Sequence, residues 1–135
     1  MESVDAATQS LAGLNLLVVD DDYFVANDCA TILRRRGARV TGPVQDMARA
    51  RASLFGEVTD CVLLDINLKG EMAFSLAEEL DAKGIPLVFT TGYDPSILPA
   101  SLRKHRCLLK PLDTRELVSA IRQETERRMA ASSRT

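Results

Sequence analysis

Asp20, Asp21, Asp65, Thr91 and Lys110 are the residues whose types and spacing could do chemistry together. Each comes at the end of a short apolar run: residues 14–19 lead into Asp20, Asp21 and Asp22, residues 61–64 into Asp65, residues 87–90 into Thr91, and residues 107–109 into Lys110. Runs of this kind read as strands buried on both faces of a parallel sheet. An ionised Asp is costly to bury unless it is paired or metal-bound, so these residues belong at the solvent-open carboxyl edge of that sheet. If the first and third strands are neighbours, Asp20, Asp21 and Asp65 stand side by side. Three carboxylates in one small pocket require either a hard divalent cation or strongly raised pKa values. One Mg²⁺ (or Mn²⁺) with the Lys110 ammonium offsets about three negative charges and leaves the pocket balanced before any substrate arrives.

A carboxylate held in such a pocket can attack phosphorus. Asp65 is the best-placed nucleophile, because an incoming phosphoryl group there would meet metal on one side and Lys110 on the other. The cation would be held directly by Asp21 and Asp65, by Asp20 through water, and by the backbone carbonyl of Asn67. Thr91 can donate its hydroxyl to a phosphoryl oxygen. The product is an aspartyl phosphate whose charge draws Thr91 and Lys110 inward.

The elements that must position these groups alternate along the chain. Residues 23–36 carry apolar side chains at helical spacing, with Asp22 as the cap, Arg34, Arg35 and Arg36 in the last turn, where cations favour the macrodipole, and Gly37 at the stop. Residues 38–44 form a strand broken by Gly42-Pro43, which suits a sheet edge. Asp46 caps a helix over 47–55. A polar turn at 67–71 precedes a helix over 72–83, closed by Gly84 and Pro86. Residues 94–106, interrupted by Pro95 and Pro99, leave room for one short helical turn near 100–104. Asp113, Thr114, Arg115 and Glu116 read as a capping box that opens a helix reaching about 129. Arg122, Arg127 and Arg128 are expected on a solvated face of that helix, with a dimer or partner contact as the alternative.

Five strands alternating with helices predict an α/β, doubly wound five-stranded parallel sheet of flavodoxin-like type, in order 2-1-3-4-5, with a short or irregular fourth helix. With 135 residues, 46% of them hydrophobic, the chain suits one domain. The expected organisation is a flexible extension over 1–12, a single domain over 13–129 and a tail over 130–135. A formal net charge of -2 gives no electrostatic reason to expect nucleic-acid binding. No run approaches the roughly 20 apolar residues of a membrane span and no signal peptide is evident, so a cytoplasmic protein is expected. Cys29, Cys61 and Cys107 lie in apolar patterns and read as reduced core thiols. His105, the one histidine, is expected in a loop, where it cannot build a metal site alone.

The motifs at residues 16–21 (Leu-Leu-Val-Val-Asp-Asp), 63–68 (Leu-Leu-Asp-Ile-Asn-Leu), Thr91-Gly92 and Lys110-Pro111, taken together, resemble the receiver domain of two-component response regulators over about residues 14–128. The resemblance implies that Asp65 is the phosphoacceptor, Thr91 the switch hydroxyl and Lys110 the charge partner of the phosphoryl group, with Lys110-Pro111 a cis peptide bond. Phe89-Thr90-Thr91-Gly92-Tyr93 is similar to the Phe-x-Thr-Gly-Tyr pattern of the FAT GUY receivers, which serve kinases of the HWE and HisKA2 types. The chain departs from the usual pattern at Cys107, where many receivers carry a switch Tyr or Phe. Tyr93 is the aromatic that could replace it, and Tyr93 and Asn67 flank the line of attack of a hydrolytic water.

The reading these residues support is a stand-alone response regulator that takes a phosphoryl group from a phosphohistidine and signals through protein contacts, or serves as a phosphate sink or phosphorelay shuttle. Its expected partners are a sensor histidine kinase or a histidine phosphotransfer protein, with neither nucleic acid nor membrane, and its expected state is a monomer or weak homodimer. It is not expected to be an enzyme beyond its own phosphorylation and dephosphorylation. The alternatives are a pseudo-receiver that binds partners without phosphorylation and a small phosphatase with an Asp nucleophile; the latter lacks an Asp-x-Asp motif at the nucleophile. An FMN-binding protein of similar architecture would need an aromatic pair and a phosphate loop that the chain lacks.

Overall fold

Five of the apolar runs pair into one sheet. In a computed structural model that describes residues 10–56 and 58–133, β1 (Asn15–Val19), β2 (Arg39–Val44), β3 (Cys61–Asp65), β4 (Leu87–Thr91) and β5 (Arg106–Leu109) lie in the order β2-β1-β3-β4-β5. Every neighbouring pair is parallel. The connections run through α1 (Tyr23–Arg35), α2 (Met47–Gly56) and α3 (Phe74–Ala82), and α4 (Thr114–Ser133) follows β5. This is the doubly wound architecture and strand order expected from the sequence. Residues 1–9 and 134–135, parts of the expected extension and tail, lie outside the described residues.

The strand pleat sends alternate side chains to opposite faces, so a sheet covered on both sides builds two cores. Leu16, Val18, Leu63, Val88 and Leu108 pack with Leu33 of α1 and Leu117, Val118 and Ile121 of α4. On the other face, Leu17, Leu64 and Phe89 pack with Ala50 of α2 and Leu76 and Leu80 of α3. The first core also takes in Leu11, which is only 1% exposed. Its backbone N–H donates to the Arg36 carbonyl at 2.8 Å, and the Arg122 guanidinium donates to the Ser10 carbonyl at 2.6 Å. Packed structure thus begins before residue 13, the expected boundary, and α4 continues past residue 129.

Local chemistry accounts for the ends of the elements. Asp22 caps α1 by accepting the Val25 N–H at 3.2 Å, and Gly37 takes the left-handed conformation that stops it (φ 98°). Arg34 in the last turn donates to the Val40 carbonyl at 3.0 Å, so the arginine triplet is at least partly a structural feature. The break at Gly42-Pro43 falls in the edge strand, as expected. Gly42 has φ 101°, and a Cβ there would lie 2.7 Å from the Val18 carbonyl oxygen, so only glycine lets β2 pass this close to β1. Gly42-Pro43 and Lys110-Pro111 are both cis.

Two stretches differ from expectation. The turn after β3 is a hairpin: Asn67–Leu68 pairs antiparallel with Glu71–Met72, with positive φ at both central residues, Lys69 (52°) and Gly70 (82°). The Asn67 side chain accepts the Gly70 N–H at 2.9 Å. The hairpin uses Met72, and α3 therefore begins at Phe74 rather than at residue 72. Between β4 and β5, two 3₁₀ turns, Pro95–Ile97 and Ala100–Leu102, stand where a single turn was expected. They bury Leu98 and Leu102 against the second core without a regular helix.

Candidate functional site

Asp20 follows β1, Asp65 ends β3, and these strands are adjacent in the sheet, so the two carboxylates share its carboxyl edge. Their residues are 5% and 6% exposed. Asp20, Asp21 and Asp65 each present a carboxylate oxygen within 4.8 Å of the others. Lys110, just beyond β5, crosses to them with Nζ 2.8 Å from Asp20 Oδ2 and 2.9 Å from Asp65 Oδ2. Backbone donors hold the acids in place: Asp22 N–H on Asp20 Oδ1 at 2.9 Å, Lys69 N–H on Asp21 Oδ2 at 2.8 Å, and Asn67 N–H on Asp65 Oδ1 at 3.1 Å.

Burial pushes the Asp65 carboxyl up to about 6; its bonds to Lys110 and to the Asn67 N–H work against that rise, and the charge of Asp20 adds to it. For Lys110, burial works to lower the pKa, but its hydrogen bonds to Asp20 and Asp65 outweigh this and raise it. The pocket thus holds three carboxylates against one ammonium. Those three hard oxygen donors fit a small divalent cation such as Mg²⁺, and the Asn67 carbonyl, two residues beyond Asp65, is the remaining expected ligand.

Thr91 ends β4 beside this group, one residue past Thr90, the cross-strand partner of Asp65. Its hydroxyl oxygen accepts the Tyr93 N–H at 2.9 Å, which occupies an acceptor and leaves the proton available for donation. The Lys110 N–H donates to the Thr91 carbonyl at 2.8 Å, tying the two residues together through the backbone. Tyr93 points outward, with 62% of its surface exposed. Cys107 is half-buried against the second core.

Burial raises all three thiols above their ordinary range. Burial pushes Cys29 up to about 12, with the charge of Asp20 adding to the rise and Lys110 opposing it; burial alone raises Cys107 to about 11 and is the main cause of a larger rise at Cys61.

Residues 16–122 match the family described as response regulator receiver domain. The chain belongs to that family. Receiver domains are phosphorylated by histidine kinases, bind Mg²⁺ at an acidic cluster, and generally serve as signalling modules with their own dephosphorylation activity. Among characterised relatives, the chain is 30% identical over 112 residues to the sensory transduction protein RegX3 of Mycobacterium tuberculosis, a match covering 80% of this chain and 49% of the relative. It is 28% identical over 132 residues to nodulation protein W of Bradyrhizobium diazoefficiens, covering 91% and 54%. The chain therefore spans about half the length of these relatives. Among solved structures, SdrG from Sphingomonas melonis Fr1 superposes with a TM-score of 0.72 at 29% identity, covering 81% of this chain and 93% of SdrG. PhyR from Brucella abortus superposes with a TM-score of 0.81 at 20% identity, covering 98% and 56%, a likeness of fold alone. Among the described residues no helix is long and apolar enough to cross a membrane.

Three side chains carry more than sequence reasoning allowed. His105 does lie in a loop, but it is buried, with Nδ1 2.6 Å from Glu124 and Nε2 2.7 Å from Asp81. Arg122 anchors Ser10, and Arg127 reaches Glu124 at 2.9 Å and the Lys104 carbonyl at 3.2 Å, so neither is simply a solvated residue. Apart from Arg127–Glu124, three residues apart on one helix, local spacing carries no signal for these contacts, because the partners lie far apart in the chain; a lone histidine shortly before a strand was the other available cue.

Proposed function

We propose that this receiver carries a phosphoryl group on Asp65, taken from a phosphohistidine, and works as a response-regulator receiver of the FAT GUY subgroup. The observation that supports this most is the joint placement of Asp20, Asp21 and Asp65 within ligand distance of one another with Lys110 bridging two of them. In the reaction, an Asp65 oxygen attacks phosphorus, the P–N bond to the donor imidazole breaks, and the imidazole leaves with the electron pair. Asp20, Asp21, Asp65 and the Asn67 carbonyl would hold Mg²⁺, which when bound supplies positive charge for the phosphoryl oxygens in transfer.

Lys110 exchanges its contact with Asp65 Oδ2 for a phosphoryl oxygen, and its rigid backbone link to Thr91 carries that movement into β4. Thr91 turns its free proton to another phosphoryl oxygen, at the cost of its bond to the Tyr93 N–H. The release of Tyr93 makes it the mobile aromatic where Cys107 replaces the usual one, and Tyr93 with Asn67 sets how fast water reaches the acyl phosphate. Pro111 fixes the direction in which Lys110 leaves the sheet. The irregular 3₁₀ segment supports the subgroup, and with it a kinase of the HWE or HisKA2 type or a histidine phosphotransfer protein as donor. Downstream, the charged pocket changes protein contacts, or the protein drains or relays phosphate.

Phosphotransfer profiling tests this reading. Wild type and Asp65→Asn are offered to a panel of phosphorylated histidine kinases and phosphotransfer proteins. Rapid transfer of a hydroxylamine-sensitive, acid-labile phosphate to wild type alone is expected. Transfer to the Asp65→Asn variant, or steady hydrolysis of a phosphate ester by wild type, would overturn it.

A further inference from the structure

His105 stands at the edge of the sheet opposite Asp65, where the strands begin, and it leads directly into β5. Both of its ring nitrogens meet carboxylates: Nδ1 lies 2.6 Å from Glu124 Oε1 on α4, and Nε2 lies 2.7 Å from Asp81 Oδ1 near the end of α3. Ionised carboxylates only accept hydrogen bonds, and a neutral imidazole donates from one nitrogen alone, so with Glu124 and Asp81 both ionised the doubly bonded ring is the imidazolium. We propose that His105 is a pH-operated clamp: protonated, it ties α3 to α4 across the entry to β5, and loss of its proton as pH rises releases the α3 arm.

The groups around the ring determine which arm lets go. The Glu124 side chain is 2% exposed and the Asp81 side chain 25%. A neutral ring keeps its one proton on Nδ1, because the buried Glu124 has little access to water in exchange. Asp81 then faces a lone pair, but it keeps Lys104 at 3.1 Å and gains water from an adjoining cavity of about 540 Å³. Other charges also face the ring. Arg127 on α4 pairs with Glu124 at 2.9 Å, Lys83 beyond α3 and Arg128 on α4 line the same cavity, and Arg106 turns away to Gln123. From the sheet, β4 offers the uncharged Phe89 ring edge-on at 6.1 Å, and the Cys61 thiol on β3, raised chiefly by burial, also feels the charge of Glu124.

The balance of these groups favours the clamp. Burial works against the imidazolium, but its bonds to Glu124 and Asp81 and the charges of those residues outweigh burial and raise the His105 pKa, while Asp81 is lowered despite its own burial by bonds to His105 and Lys104. A group raised in the folded state stabilises it fully below the unfolded value of about 6.5, and that contribution is lost as pH rises through the folded value.

The chain has a single histidine, so ring-nitrogen NMR of the whole protein reads the clamp without assignment ambiguity. The expected result is a ring protonated at both nitrogens at pH 6, a midpoint above about 6.5, and faster amide exchange at residues 81–86 and 103–106, corrected for intrinsic rate, once that midpoint is passed. Asp81→Asn, at the more exposed arm, should keep the fold and lower the midpoint. A neutral ring at pH 6, a midpoint unmoved by Asp81→Asn, or exchange in those segments indifferent to the titration overturns the proposal.

Discussion

Two clusters of charge face each other across the sheet, and they are built on different balances. At the carboxyl edge, Asp20, Asp21 and Asp65 share one Lys110 ammonium. At the opposite edge, Asp81 and Glu124 are matched by Lys104, His105 and Arg127, with every acid paired to at least two cations. The first cluster has more negative charge than its own side chains compensate; the second is satisfied within itself. An excess of like charge held together by the fold is stability given up for a ligand, whereas a closed network serves packing and geometry. The difference predicts opposite responses to the removal of an acid.

The largest effect is expected at the closed cluster. Glu124→Ala strands His105 and Arg127 beside a buried gap and should cost about 3 kcal/mol, read as a lower denaturation midpoint with an unchanged slope. A loss below about 1 kcal/mol would mean that the network is far less coupled than its distances imply. Next, Lys110→Ala removes the one cation of the open cluster. Transfer to Asp65 from a small phosphodonor should slow roughly 100-fold, as for loss of a single transition-state donor, while Mg²⁺ affinity rises because a competing cation is gone. A fall in both would show that Lys110 organises the metal site rather than competing for it. The smallest effect on stability belongs to Asp21→Asn, which relieves like-charge crowding and should change unfolding free energy by no more than about 0.5 kcal/mol while lowering Mg²⁺ affinity in calorimetry. A large destabilisation there would erase the contrast between the clusters.

The open cluster was legible in the sequence because each of its side chains follows an apolar run that can only be a buried strand, and parallel order then brings the strand ends to one edge. Asp22, Gly37 and Asp113 were legible for a similar reason, since capping is local. The 67–72 hairpin was not, because it depends on Lys69 adopting a positive φ that its residue type does not advertise. The His105 clamp was hidden more deeply: Asp81, His105 and Glu124 are 24 and 19 residues apart, and nothing in their own neighbourhoods distinguishes them from surface charges. Leu11 and Arg122 were missed because their partners, Arg36 and Ser10, lie well outside their own segments of the chain.

The central claim is that a divalent cation completes an acid-rich pocket in which Asp65 becomes a phosphate carrier. Intact mass of the wild-type protein exposed to acetyl phosphate, with Mg²⁺ and again with chelator in its place, tests this most directly. The account predicts a gain of one phosphoryl group that needs Mg²⁺ and disappears in Asp65→Asn. An unchanged mass in Mg²⁺, or the same gain in chelator, would contradict it.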